Sequence, residues 1–132
     1  MQDYEKLTVF HRADALVLRV YEATRMYPSD ELHGIRSQLR RAAVSVAAHV
    51  VEGARLATGK EFARHLASAI GSASEVEYLI GLSVRLGYLE KDEALSLRAD
   101  AIEVCRMLHA LRARVIQASL AARDDGEVTV PS

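Results

Sequence analysis

From Phe62 onward, apolar side chains return at alternating steps of four and three: Phe62, Leu66, Ala69, Ala73, Val76 and Ile80. This spacing lays one continuous apolar stripe along a helix. A single helix with such a stripe is marginal in water, so the rest of the chain must supply surfaces that cover it. Three further stretches do. Val9, Ala13, Leu16, Val17, Val20 and Thr24 mark a first helix, with Thr8 as its expected cap and Tyr27-Pro28 as its end. Ser29 offers the next cap, with Asp30 and Glu31 placed to complement the helix dipole, and Leu32, Ile35, Leu39, Ala42, Val46 and Val50 carry a second helix to about Leu56. The stripe that opens at Phe62 belongs to a third helix, capped by Thr58 with Glu61 three residues on and closed by Gly87. Leu95, Leu97, Ala101, Val104, Leu108, Leu111 and Val115 mark a fourth.

One rival pattern competes with this all-α reading. Val76, Tyr78, Ile80, Leu82, Val84, Leu86 and Tyr88 alternate with other residues, as a strand would. The helical repeat arrives there unbroken from Phe62, however, and no second strand exists in the chain to pair with it. Read as helix, residues 76–86 are apolar nearly all round. Such a segment is covered on more than one side, which predicts an oligomer in which Leu79, Leu82 and Leu86 are shielded.

The 132 residues suffice for one domain, expected over 1–122, with the aperiodic stretch RDDGEVTVPS at 123–132 expected to be disordered. Seven glycines and two prolines are few interruptions, in keeping with helices. A single cysteine, Cys105, excludes a disulfide framework and is expected in the core. The amino terminus lacks a secretion signal and no apolar run approaches the roughly 20 residues of a membrane span, so a soluble cytoplasmic protein is expected.

The stretch EGARLATGKEF at 52–62 resembles a phosphate-binding loop at first sight. The spacing excludes it. Gly53 and Gly59 are separated by five residues where that loop has four, and Glu61 stands where the magnesium-binding hydroxyl belongs. Lying between two helical repeats, it reads as the corner of a helical hairpin. If the second and third helices fold back about Thr58, Arg55 meets Glu61, Glu52 meets Arg64 and Arg41 meets Glu75. These pairs are either exposed and worth ~0–1 kcal/mol each, or partly buried, in which case truncating one partner of Arg41–Glu75 costs on the order of 3 kcal/mol. Gln38, Ser45 and His49 extend the polar stripe beside Arg41 and Glu52.

The runs SQLRRAAVSVAAHVVEG and KEFARHLASAIGSASEVE are similar to those of the 23S ribosomal RNA intervening sequence proteins, over about residues 5–118. Ser37, Gln38, Arg40, Arg41, Ala42, Glu52, Gly53, Lys60, Glu61, Phe62, Gly71, Ser72, Glu75 and Glu77 match that family's pattern, with Tyr27-Pro28 and Gly34 upstream. His49 and Val51 depart from it, standing where the family usually has asparagine and alanine. The resemblance implies an antiparallel up-down-up-down four-helix bundle, assembled into a homo-oligomeric ring of five subunits, with no established enzymatic activity. A similar fold serves the accessory variability proteins of diversity-generating retroelements, which are strongly basic and bind nucleic acid.

This chain carries 17 basic and 18 acidic side chains, so no global field draws it to nucleic acid. The local balance differs. Between residues 36 and 64, Arg36, Arg40, Arg41, Arg55, Lys60 and Arg64 face only Glu52 and Glu61. Arg36, Arg40, Arg55 and Lys60 are therefore the candidate contacts to an RNA or DNA backbone, multiplied if a ring repeats them. Aromatic residues are not interleaved with them, which argues against base stacking. No Glu-x-x-His occurs, so the di-iron pattern of helical bundles is missing, and Glu61 to His65 reads as a surface pair. Neither a metal, a cofactor nor a catalytic residue is expected. Two functions are in play: a noncatalytic assembly module, and a nucleic-acid-binding accessory factor.

Overall fold

The computed structural model describes residues 3–56 and 58–125. Among them are four α-helices and no strand: α1 (Thr8–Ala23), α2 (Ile35–Ala54), α3 (Gly59–Arg85) and α4 (Lys91–Asp125). The region around Tyr78, where strand and helix patterns competed, is helical throughout. Among the described residues no helix is long and apolar enough to cross a membrane.

Local signals set most of the boundaries. Thr58 caps α3 by accepting a hydrogen bond from the Glu61 amide at 3.2 Å. Gly87, at φ 78°, ends it: the Gly87 amide donates to the Val84 carbonyl and the Tyr88 amide to the Ser83 carbonyl, satisfying carbonyls the helix leaves open. Two expected caps are corrected. Leu7, not Thr8, occupies the cap position of α1 and forms no side-chain bond there, Thr8 being the first helical residue. Ser29 begins only a 3₁₀ turn, Ser29–Glu31, and α2 starts after Gly34. That turn takes Leu32 out of the phase of α2, and its side chain is 51% exposed.

The stripes otherwise converge on one core. Val9, Ala13, Leu16 and Val20 of α1 meet Leu39, Val46 and Val50 of α2, Phe62, Leu66 and Val76 of α3, and Leu97, Val104, Leu108 and Val115 of α4. Leu95, expected among them, is exposed, because Ala94 and Leu97 hold the inner positions of that turn. α2 packs on α3 and α3 on α4 most extensively, while α1 touches both α2 and α4. At about 1.5 Å per residue, α4 is ~52 Å long and α1 only ~24 Å, so α4 outruns α1. Contacts across α2 and α3 join Ser45 to Ser72 and His49 to His65, so numbers rise on one helix as they fall on the other. α4 is helical as far as Asp125, so the first three residues of the tail expected to be disordered at 123–132 belong to it; the rest of that tail lies outside the described residues.

Candidate functional site

Small side chains bring α2 and α3 together, and polar ones line the resulting seam. Gln38, Arg41, Ser45, His49 and Glu52 recur at steps of three and four, which keeps them on one face of α2. His65, Ser72 and Glu75 answer them from α3. The Ser45 and Ser72 hydroxyls share a hydrogen bond of 2.9 Å. The Nδ1 atoms of His49 and His65 lie 3.1 Å apart, and a Glu52 carboxylate oxygen stands 3.7 Å from His65 Nδ1. Toward the other end, Gln38, Arg41, Ala42, Ser45, Ser72 and Glu75 enclose an open cleft of about 330 Å³.

The register of this hairpin is close to the one expected about Thr58, but the charge pairs are not. Arg41 and Glu75 line the same cleft, yet both are exposed and no ion pair joins them. They stand at its lip, where water reaches them, and the partly buried alternative is set aside. Glu52 turns to His65 rather than Arg64, because the neighbouring residue, ~100° further round the helix, is the one that faces the seam. Arg64 instead lines a groove between α3 and α4. Arg55 lies 5.4 Å from the Tyr4 ring and does not pair with Glu61. Equal distance from a corner fixes height along a hairpin but leaves azimuth open.

The family called 23S rRNA-intervening sequence protein matches residues 5–110. The chain belongs to that family. The match takes in α1, α2, α3 and the first part of α4, and so includes the entire seam. A solved protein of unknown function from the S23 ribosomal protein family of Bacteroides thetaiotaomicron has the same fold, with a TM-score of 0.74 at 20% identity over 80% of this chain and 95% of that one. No curated protein matches.

Some of the positions that match the family pattern line the seam. Gln38, Arg41, Ser72 and Glu75 share its cleft, and Gly53 with Phe62 forms its close-packed end. Glu77 lies apart from it, near Cys105. That thiol is only partly buried, at the edge of the core; burial, and then the Glu77 charge, pushes its pKa up. A thiol held in its protonated form is a poor nucleophile. Gly71 is exposed, with open space around it, and nothing in the fold explains its identity.

The four candidate phosphate contacts do not form one surface. Arg40 is tied to α1: its Nε donates to the Thr24 hydroxyl at 2.8 Å, its Nη2 to the Tyr21 carbonyl at 3.2 Å, and its guanidinium sits 4.4 Å from the Tyr21 ring. Arg36 is half-buried, with its Nε enclosed and unbonded. Lys60 lies on the other edge of the hairpin, in a groove between α3 and α4 of about 450 Å³, lined also by Arg64, Arg112, Ile116 and Leu120. Arg112 was invisible to sequence reasoning because it is 52 residues from Lys60; here its Nε donates to the Ala63 carbonyl at 3.0 Å.

Proposed function

We propose that the protein is a noncatalytic assembly module, an antiparallel up-down-up-down bundle that associates with copies of itself into a ring, five being the number its resemblance implies. The observation that carries this reading is a surplus of exposed apolar side chains on α3 and α4. Tyr78 is 61% exposed on α3, Leu86 47% at its end and Leu95 60% on α4, the last in a groove lined also by Ile80, Gly81, Val84, Ala94, Lys91 and Arg98. The residues differ from those expected: Leu79 is buried in its own chain and Leu82 partly so, which leaves Tyr78, Leu86 and Leu95 as the surplus. Covering each would contribute ~1 kcal/mol, about half the value of burying a fully exposed side chain of this size. A light-scattering mass at micromolar concentration tests the reading: a multiple of 14.5 kDa is expected, and a monomer removes it.

A second reading, a nucleic-acid-binding accessory factor, has support in the grouping of Lys60, Arg64 and Arg112 along one groove. It predicts RNA or DNA binding that weakens steeply as salt rises, since each neutralised phosphate releases counterions. Titration of labelled RNA at two ionic strengths separates the readings. Absence of binding at low salt eliminates the second.

A further inference from the structure

We propose that His49, Glu52 and His65 bind a divalent transition-metal ion of the zinc type. The three side chains come from two helices and offer one ligand atom each, all within 4.8 Å of one another. Zinc bonds to nitrogen and oxygen at ~2.0–2.1 Å, so ligand atoms around a tetrahedral ion stand about 3.3 Å apart. The His49–His65 nitrogens at 3.1 Å and the His65–Glu52 contact at 3.7 Å fall on either side of that edge. Small side-chain rotations bring both onto it.

Two imidazoles and a carboxylate select the kind of ion. Calcium and magnesium require six or more oxygen ligands and are excluded by the nitrogen donors, whereas imidazole suits zinc, nickel and copper. Without an ion the arrangement satisfies itself poorly. One imidazole can donate to the other, but the 3.7 Å gap to Glu52 is too long for a hydrogen bond. An ion at the centre uses all three groups.

The scaffold is rigid where the site needs it. His49 and Glu52 stand three positions apart on α2 and share a face, and His65 is held against α2 by the close approach of its own Cβ to Gly53. The His65 side chain is 18% exposed and Glu52 60%, so the imidazoles are sheltered while the carboxylate side stays open for the ion to arrive. Three protein ligands leave a fourth coordination position for water. The ion would clamp α2 to α3 one turn from their corner.

Chelator-stripped full-length protein titrated with zinc chloride tests this, with stoichiometry read by calorimetry and folding by circular dichroism and thermal melting. One zinc per chain and a rise of several degrees in Tm are expected. His49→Asn and Glu52→Gln should each weaken zinc binding more than about tenfold while the protein stays helical, and His109→Asn, at an exposed position on α4, should leave it unchanged. Cobalt(II) should give the intense visible bands of a four-coordinate site in the wild type and lose them in both seam variants. Lack of saturable zinc uptake by the wild type, or uptake that survives both seam substitutions, would overturn the proposal.

Discussion

Gly53 of α2 faces Phe62 of α3 so closely that a Cβ on the glycine would stand 2.8 Å from the Phe62 ring and equally close to the Cβ of His65. Backbone-anchored atoms cannot yield as the tip of a long side chain would. Gly53→Ala therefore forces the two helices apart and should cost ~1–3 kcal/mol, the range for overpacked cores. Gly71→Ala places its methyl in open space and should stabilise the helix by ~0.5–1 kcal/mol. Urea denaturation of the two variants reads the opposite signs.

The ends of α3 give a second contrast. Removing the Thr58 hydroxyl leaves the Glu61 amide without its side-chain partner, so Thr58→Ala should lose ~1 kcal/mol. Gly87→Ala puts a Cβ at φ 78°, a left-handed conformation that costs ~1–2 kcal/mol for L-residues. Thermal melts should show both losses, with the larger at Gly87.

How far these elements were legible depends on whether one helix decides them or two. Phe62 to Ile80 declared α3 by its own periodicity, and Thr58 and Gly87 announced its ends, because caps act within a turn. Ser29 misled, since a good cap residue followed by acids also suits a 3₁₀ turn, and Gly34 beyond it interrupts the helix. The seam was half legible. The polar stripe of α2 could be read from Gln38, Arg41, Ser45, His49 and Glu52, but its partners on α3 depend on rotation of one helix against another, which no spacing reports. Hence Glu52 was matched with Arg64 and not His65, and Arg112 could not be placed beside Lys60.

Exposure of Arg41 and Glu75 at the lip of the cleft sets the size of their effect. Glu75→Gln and Arg41→Gln should each change stability by less than ~1 kcal/mol, the range for exposed charges. A loss near 3 kcal/mol in either variant would restore the buried pair.

Tyr88 ties the turn between α3 and α4 to the turn before α2. Its hydroxyl donates to the Glu31 carboxylate at 2.8 Å, and that hydrogen bond is the main cause raising its pKa above the ordinary 10.0. The neutral phenol is the form that donates, so the folded state holds its proton to higher pH than the unfolded chain does. The contribution is complete below pH 10 and is lost as pH rises through the raised value. Melting temperatures taken across this alkaline window should fall more steeply for the wild type than for Tyr88→Phe. Parallel curves would show that the bond is not made.

The exposed apolar side chains of α3 and α4 are the feature on which the assembly rests, and sedimentation equilibrium of the wild type beside a Tyr78→Glu, Leu95→Glu double variant tests it most directly. Both substitutions are at exposed positions, so the variant should keep its helical content. The account predicts a wild-type mass that is a multiple of 14.5 kDa and a variant shifted toward a single chain. A wild type that sediments as a monomer at micromolar concentration, or an assembly unmoved by two buried glutamates, would contradict it.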